Sequence, residues 1–380
     1  MDQFDDVRGP WVRPGNQTRA GQLQDVGFAM RRVNGPLPLF PSGVRFGHLN
    51  FPVLLMNLPL SLSAQIPNNA SMEDRSPSER EICLERAIEQ FLRLYKHVAQ
   101  HAMVYLLPST PGLQDQPYVS NLGAVLPHRQ EDTVIISRFR SAPRVGEDAV
   151  GADFFKLMNF TVERPPETFE AEPVYFEGEA DLKHIHGNFY VGGHGLRTSR
   201  NALNWAAERF EMEIVPFRTT HPYLYHLDCC ILRITEQAVL MCTAVADKIC
   251  IRAIEQHCEI IDVSLEDARA GITNSLLLTG EILCDSAIME LDKESPKYSI
   301  EKSKIEHLDS ICSRFGRTLR IFCMSEFYKS GAMLSCLIMH IKQLTDSAQC
   351  RQANCRDVGQ ADEGDNELDV RTWADSENQR

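Results

Sequence analysis

The stretch YLYHLDCCILRI, residues 223–234, decides how the rest of this chain is interpreted. It sets a histidine, an aspartate and two adjacent cysteines within an apolar run of the kind that forms strands. Because residues i and i+2 of a strand share a face, we expect His226 and Asp228 to point together and Cys229 to point into the packing. The pair by itself fits a hydrogen-bonded structural histidine, a catalytic pair or a metal site, so other segments must decide.

Composition excludes several classes of function. The chain of 380 residues is 43% hydrophobic, as expected for a globular protein, and its formal net charge is −13. Its basic residues are scattered, so we expect no nucleic-acid partner and no anionic membrane surface. No run approaches the roughly 18 to 20 apolar residues of a membrane span, and MDQFDDVRGP at the N-terminus lacks an apolar signal core. We therefore predict a cytoplasmic protein without a membrane partner.

The two ends of the chain lack hydrophobic periodicity. Residues 1–48 are rich in Gly, Pro, Arg and Asn, and residues 346–380 are polar and acid-rich. We predict disordered extensions there, around a folded domain at 49–345. The twelve cysteines are irregularly spaced without a CxxC pair, which favours reduced thiols over a disulfide framework or a zinc ribbon.

Between these ends, short strand-like runs alternate with single amphipathic helices. FPVLLMNLPL at 51–60 predicts a buried strand, and apolar residues at helical spacing in 76–100 predict a helix that begins at Ser76. The theme recurs up to LSCLIMHI at 334–341, which predicts a last strand containing Cys336. Four or five modules with one helix each indicate an α/β fold built by repetition, with a closed ring as one arrangement. A doubly wound nucleotide-binding fold is the rival, but GGHGLR at 192–197 matches neither phosphate-binding motif.

Two further segments join the opening stretch in an ordered set of motifs. YFEGEADLKHIHGNFYVGGHGLRT at 175–198 has an acidic FEG strand before a GxGxRT turn, and MSEFYKSGAMLSC at 324–336 ends on a cysteine. This order, with HLD between the two, resembles the guanidino-group-modifying superfamily of arginine deiminases, dimethylarginine dimethylaminohydrolases and amidinotransferases. The resemblance runs from about Val53 to Ile341. It is closest to the arginine dihydrolase and dimethylaminohydrolase-like branch, because VSNLGAVL and YHLDCC of this chain also resemble segments of that branch.

The resemblance implies the pentein fold, with five ββαβ-type modules in a closed α/β propeller and the site at its centre. It implies a hydrolase that acts on the guanidino group of arginine or a methylated arginine through a covalent cysteine thiouronium intermediate. It implies no cofactor and no metal, and it leaves a homo-oligomer open. Two alternatives remain: an amidinotransferase that passes the amidino group to an amine such as glycine, and an inactive homologue used for binding.

Four catalytic residues follow from the matched motifs. Cys336 matches the nucleophile and His226 the general acid and base, while Asp181 and Asp228 match the two carboxylates that hold the guanidinium. The chemistry requires such residues, because a delocalised guanidinium must be held rigidly between carboxylates while a thiolate is presented to its carbon. A cation beside the thiol also favours the thiolate.

Substrate-binding positions follow from the same match. Arg197 and Arg138 match arginines near the substrate α-carboxylate, while Arg140 and Arg144 are interpreted as surface ion pairs. The matched asparagines are Asn69, Asn121 and Asn274. A turn role is the alternative for Asn69 and Asn274, whereas Asn121 begins an apolar strand.

The chain departs from the family pattern at two places. Relatives carry Gly-Gly before the cysteine, whereas this chain has Gly331 and Ala332, and Lys183 lies beside the acidic strand. An alanine adopts positive φ less readily than glycine, so we expect a changed loop before Cys336. The nearby histidines, interpreted as surface or hydrogen-bonded groups and not as zinc ligands, are His184, His186 and His194.

Overall fold

The computed structural model describes residues 45, 46, 49 and 51–343. The predicted extensions lie outside the described residues, except that Phe46 is buried with its ring centroid 5.3 Å from that of Phe160. The packed part of the chain therefore includes residue 46. The predicted domain bounds of 49 and 345 stay predictions.

Strands and helices alternate along the described residues. The strands are β1 (Val53–Asn57), β2 (Met103–Leu107), β3 (Gly123–Val125), β4 (Thr133–Ile136), β5 (Thr161–Glu163), β6 (Thr168–Phe169), β7 (Glu172–Pro173), β8 (Leu182–His186), β9 (Phe189–Gly195), β10 (Glu213–Thr219), β11 (Ile231–Thr235), β12 (Ala238–Met241), β13 (Glu259–Asp262), β14 (Leu276–Leu278), β15 (Glu281–Asp285), β16 (Thr318–Phe322) and β17 (Met339–Lys342). The helices are α1 (Ala70–Glu73), α2 (Leu84–His101), α3 (Glu147–Leu157), α4 (Arg200–Phe210), α5 (Lys248–Glu255), α6 (Leu265–Arg269), α7 (Pro296–Arg314) and α8 (Ser325–Tyr328).

The strands form five three-stranded sheets and one short two-stranded ribbon within the described residues. In four of the sheets an antiparallel hairpin is followed by a helix and then by a strand parallel to the second hairpin strand. These sheets are β3-β4-β5, β8-β9-β10, β11-β12-β13 and β14-β15-β16. The fifth, β17-β1-β2, has the same pattern, but its antiparallel strand β17 comes from the far end of the folded chain. The predicted mixed α/β modules are confirmed.

Apolar clusters join one module to the next. The cores of the modules ending in β10, β13 and β16 merge into one buried cluster that includes Val191, Leu240 and Ile282. A second cluster joins β1 and α2 to β14, β15 and the segment of Cys336. Central strands such as β1 and β12 are buried at every position, which explains why they are continuous apolar runs.

Local signals determine where the helices begin and end. At α5, the Asp247 side chain accepts hydrogen bonds from the backbone N–H groups of Ile249 and Cys250. At α7, Ser295 caps a helix with proline in its first turn, and the chain leaves through Gly316 at φ +62°.

The predicted start of α2 at Ser76 is wrong. The Glu79 side chain does bond back to the Ser76 N–H, as in a capping box, but the turn does not propagate. The Arg80 guanidinium, which donates to the carbonyl oxygens of Ala64 and Gln65, holds this segment to an upstream loop. The helix therefore begins at Leu84.

Residues 223–234 are not one strand. Leu227–Cys229 is a 3₁₀ turn, and β11 begins only at Ile231. The Asp181 carboxylate accepts a hydrogen bond from the Leu227 N–H and so helps to hold the turn. The alternation argument for His226 and Asp228 is therefore wrong. Cys336 likewise lies in the 3₁₀ turn Leu334–Leu337, before β17 and not within it.

The predicted closed ring of modules and the predicted lack of a membrane span both concern the chain as a whole. Each of the five sheets is open in its own hydrogen bonding, so no closed sheet exists among the described residues. Among residues 51–343, no helix combines the length and the apolar content that crossing a bilayer requires.

Gly178 gives a stability test of the packing between modules. It has φ +62°, and a Cβ there would lie 2.7 Å from the backbone N and O of Gly123, which cannot move aside. We expect Gly178→Ala to lower the free energy of unfolding by about 3 kcal/mol or more. Gly280→Ala is the control, because Gly280 has φ +79° with no atom within 4 Å, and it should cost about 1 kcal/mol. Equal urea midpoints for the two variants would contradict this packing.

Candidate active site

A small cavity of about 20 Å³ is lined by Cys336, His226 and Asn121. These residues come from three modules: Asn121 precedes β3, His226 precedes β11, and Cys336 precedes β17. All three are buried, with at most 8% of each residue exposed. The fold therefore brings together a thiol, an imidazole and an amide that lie far apart in sequence.

The His226 ring is held by a carboxylate and an amide. Its Nε2 lies 2.7 Å from Oε2 of Glu177, and the Asn121 Nδ2 lies 3.3 Å from the same nitrogen. The Ser137 hydroxyl in turn donates to the backbone carbonyl oxygen of Asn121 at 2.5 Å. A ring with a buried carboxylate partner is held in one orientation.

Glu177 is a buried anion at the site and was not predicted as a site residue. Its Oε2 also lies 3.5 Å from Nη1 of Arg197, and its Oε1 accepts from the Arg140 backbone N–H. Burial by itself would raise the pKa of this carboxyl, but Arg197 and His226 outweigh burial and lower the pKa to about 2. The sequence did hold a signal, since Glu177 lies in the same FEG motif that led to Asp181.

The Cys336 thiol lies among groups that favour its neutral form. Its Sγ lies 4.0 Å from Oδ2 of Asp228 and 3.6 Å from Nδ2 of Asn274. Burial, and then the Asp228 carboxylate, raise the pKa of the thiol to about 12, although Asn274 and the Lys183 charge act in the opposite direction. Without a bound cation the cysteine is therefore a thiol at neutral pH.

Asp228 and Asn274 both lie beside Cys336. The Ser335 hydroxyl donates to Oδ2 of Asp228 at 3.2 Å, and the Ser335 N–H donates to Oδ1 of Asn274 at 3.1 Å. Both contacts hold the 3₁₀ turn that carries Cys336. Asn274 therefore has both the site position and the turn role that were weighed as alternatives.

The structure does not bring Asp181 or Arg138 to the cavity. Oδ1 of Asp181 accepts from the Leu227 N–H at 3.0 Å, and Oδ2 accepts from the Thr198 hydroxyl at 2.7 Å. Each oxygen thus accepts a hydrogen bond from the segments on either side of it, and the contact with Leu227 supports the turn next to His226. Arg138 faces another way, where it contacts Glu167 and the Pro165 carbonyl oxygen.

Arg197 and Asn69 do line the cavity, but both are already bonded within the protein. Arg197 donates to the Asn68 carbonyl oxygen at 2.6 Å and lies over the Tyr225 ring. Asn69 caps α1 through Oδ1 and donates to the Ser330 carbonyl oxygen at 3.0 Å. The turn role weighed for Asn69 is real, and it coexists with a place on the cavity wall.

The Gly331-Ala332 step keeps the backbone that the motif needs. Gly331 has φ +80°, and a Cβ at this position would lie 2.5 Å from Oδ1 of Asn69. Ala332 is buried and is not among the residues with positive φ. The left-handed conformation is therefore required at the first position, which is glycine in this chain, and the expected change in the loop stays a prediction.

Asp115 and Arg144 also line the cavity, and sequence reasoning missed them as site residues. Arg144 is buried, not at the surface as expected, and forms a 2.7 Å ion pair with Glu147. Burial raises the pKa of the Asp115 carboxyl, although Arg144 and the Asn68 amide oppose the rise. The cavity wall thus carries the Asp115 carboxyl together with the guanidinium groups of Arg144 and Arg197.

A larger cavity of about 90 Å³ lies on the other side of the nucleophile's turn, with Ser335 in its wall. It contains Lys183 and the Glu179–His340 pair but neither Cys336 nor His226. We assign the chemistry to the smaller cavity, because only that one contains a nucleophile beside an oriented imidazole.

Affinity labelling can test the position of Asp228. Chloroacetamidine is a cation that Asp228 attracts, so it should alkylate Cys336 faster than neutral iodoacetamide does, relative to exposed Cys83 in the same protein. In Asp228→Asn this preference should fall by about tenfold or more, because a charge pair near 4 Å is lost. Peptide mass mapping measures both sites, and an unchanged ratio would contradict the arrangement.

Comparison with known proteins supports the motif reading. No family model matches the chain. It is 24% identical over 263 residues to the bifunctional arginine dihydrolase/ornithine cyclodeaminase AgrE of a Nostoc species. It is 26% identical over 263 residues to ArgZ of a Synechocystis species, also a bifunctional arginine dihydrolase/ornithine cyclodeaminase. It is also 26% identical over 242 residues to an uncharacterized protein of Caenorhabditis elegans, of which it covers 77%.

The cyanobacterial relatives are much longer than their region of similarity to this chain. Each match takes in 68% of this chain but only 34% of the relative, so the chain spans about a third of their length.

Solved structures give the fold. The product-bound N-terminal domain of ArgZ, a cyanobacterial arginine dihydrolase, matches with a TM-score of 0.66 at 24% identity, covering 77% of this chain and 98% of that one. A dimethylarginine dimethylaminohydrolase adduct with S-methyl-L-thiocitrulline matches at 0.56 and 16% identity, covering 76% and 99%. The resemblance to the guanidino-group-modifying superfamily is confirmed, and the chain has the mixed α/β fold of its arginine dihydrolase and dimethylaminohydrolase members.

Proposed function

We propose that the protein hydrolyses the guanidino group of arginine or a methylated arginine through a covalent Cys336 thiouronium intermediate. The observation that carries this proposal is the single cavity lined by the Cys336 thiol and by a His226 ring bonded to Glu177. The similarity to two arginine dihydrolases supports the same chemistry.

Substrate charge would activate the nucleophile. The Asp228 carboxylate helps to raise the pKa of Cys336, and a guanidinium bound between them offsets that effect. The thiolate would therefore form when a cation is present, which limits unwanted reactions of the free thiol. Asp228 holds the charged fork of the substrate, and Asp115 adds negative charge to the cavity wall.

Bond changes then follow in two stages. His226 takes the proton of the Cys336 thiol as the sulfur attacks the guanidino carbon. His226 then gives that proton to the departing amine, and the C–N bond breaks to leave a thiouronium. A water molecule then gives a proton to His226 and attacks the same carbon, and the C–S bond breaks with its electron pair returning to sulfur. Glu177 orients the ring and balances its positive charge whenever the ring holds a proton, before the amine leaves and after the water is activated.

The product depends on how far hydrolysis proceeds. One cycle converts arginine and water to citrulline and ammonia, and hydrolysis of the ureido group then gives ornithine, ammonia and carbon dioxide. A dimethylated substrate would release dimethylamine. We favour the dihydrolase outcome because both named relatives are arginine dihydrolases. Their cyclodeaminase activity is not proposed here, because the chain spans about a third of their length.

Substrate entry requires the cavity to open. Its volume of about 20 Å³ is close to the space for one water, and a guanidinium group is larger. The Asn68 carbonyl oxygen and the Arg197 guanidinium meet across the cavity wall at 2.6 Å. We propose that the segment of Asn68 and α1 moves when substrate binds and frees Arg197 to receive the substrate carboxylate.

We also propose that the five modules close into a ring around the cavity. Neighbouring modules share buried apolar clusters, and one such cluster joins β14 and β15 of the last module to β1 and α2 of the first. The pairing of β17 with β1 supports closure in the same way.

Product analysis tests the function. Incubation with arginine should yield ornithine and ammonia, by mass spectrometry, with and without added glycine, and Cys336→Ala should abolish turnover. Appearance of guanidinoacetate with glycine would instead identify an amidinotransferase. If no guanidino compound is turned over and no haloacetamidine labels Cys336, the protein is a binding homologue and the hydrolase proposal fails.

Glu177→Gln tests the pairing with His226. Loss of the carboxylate removes the charge that stabilises the protonated ring, so we expect kcat to fall by about 100-fold or more with a smaller change in KM. The control is Glu167→Gln, an exposed residue that contacts Arg138 away from the cavity. Wild-type turnover in Glu177→Gln would remove this residue from the mechanism.

A further inference from the structure

A second cluster of metal-ligating side chains lies away from the catalytic cavity. His97 and His101 stand one turn apart in the last part of α2, and residues at i and i+4 share a helix face. That face meets Glu281, the first residue of β15. Within residues 51–343 and the three described before them, this is the one group of three such residues whose ligand atoms converge.

The distances suit a small cation. Nε2 of His97 lies 2.7 Å and Nε2 of His101 lies 3.7 Å from Oε2 of Glu281, and the three atoms lie within 4.8 Å of one another. Around a tetrahedral zinc ion with bonds near 2.0 to 2.1 Å, ligand atoms are about 3.3 Å apart. Shifts of roughly half an ångström would bring both histidine nitrogens to that distance from the carboxylate.

A hydrogen bond from Arg320 orients the Glu281 carboxylate as a metal ligand would need. Nε of Arg320 donates to Oε1 of Glu281 at 3.1 Å, which leaves Oε2 directed at the two imidazoles. Such an outer hydrogen bond orients a ligating carboxylate in many metal sites. The charge of Arg320 opposes a dication, but it acts through the far oxygen of the carboxylate.

We propose that His97, His101 and Glu281 bind a Zn²⁺ ion, with the fourth position taken by water or a further ligand. Two imidazoles with one carboxylate is a zinc donor set, whereas Ca²⁺ and Mg²⁺ prefer oxygen ligands. The side chains of His97, His101 and Glu281 are 3%, 15% and 11% exposed, so the ion would lie near the surface and could exchange. The proposal does not depend on the proposed function.

The ion would join two modules. α2 belongs to the module of β1 and β2, and β15 to the module of β14 and β16. A metal bound only by the folded chain stabilises it by mass action, so zinc should raise the melting temperature. The structural alternative is a proton in place of the metal, with His97 simply hydrogen-bonded to Glu281.

Zinc titration of the full-length, metal-stripped protein against a chromophoric chelator tests the site. We expect one equivalent bound, with affinity reduced by more than roughly tenfold in His97→Gln and in His101→Gln. Partly exposed His101 provides a variant that should fold even if the buried His97 variant does not. His307→Gln is the matched control, since His307 pairs with Asp267 at 3.1 Å but has no second histidine one turn away.

Two further measurements separate this site from the cysteines. Cys336→Ala should bind zinc as the wild type does, and cobalt in the same site should show no sulfur-to-metal charge-transfer band. Zinc should raise the melting temperature of the wild type and of His307→Gln but not of His101→Gln. Unchanged binding in His101→Gln, loss of binding in Cys336→Ala, or a sulfur band would each overturn the proposal.

Discussion

The site depends on one buried carboxylate, that of Glu177. Removal of a carboxylate from water is costly unless hydrogen bonds and opposite charge replace the solvent. Here His226, Arg197 and the Arg140 backbone N–H supply both, and they come from different parts of the chain. Satisfying this single anion therefore requires the modules to meet in one arrangement. The same requirement leaves the His226 ring oriented towards the cavity.

The Cys336 thiol contrasts with the Glu177 anion because it is uncharged at rest. Cys336 lies beside Asp228 without a neighbouring cation in contact, so its resting form is the neutral thiol. Because no positive charge balances Asp228 at this position, a positively charged ligand is favoured there. The nearby Ser335 and Asn274 add no charge, and they hold the turn so that the thiol faces the cavity and not the larger space behind it.

Sequence reasoning succeeded where a residue's role is local or depends on motif order. The apolar runs predicted the strands, and the motif order predicted Cys336, His226 and Asn121, which the fold brings to one cavity. It failed where a distant partner intervened. The substrate role of Asp181 stays a prediction, but the sequence did not indicate that its oxygens accept hydrogen bonds from Thr198 and the Leu227 backbone. Glu177, an acid of the same motif, is the one that faces His226.

By itself the sequence determined the modular α/β class and the kinds of chemical group available, because hydrophobic periodicity and residue type are local properties. Only the tertiary structure decided which groups meet. The 3₁₀ turn at Leu227–Cys229 places His226 and Asp228 at the site, and the alternation of side chains along a strand does not. The zinc-type cluster of His97, His101 and Glu281 likewise exists only because α2 packs against β15. Contacts between residues over a hundred positions apart arise from packing, and a single sequence does not specify packing by inspection.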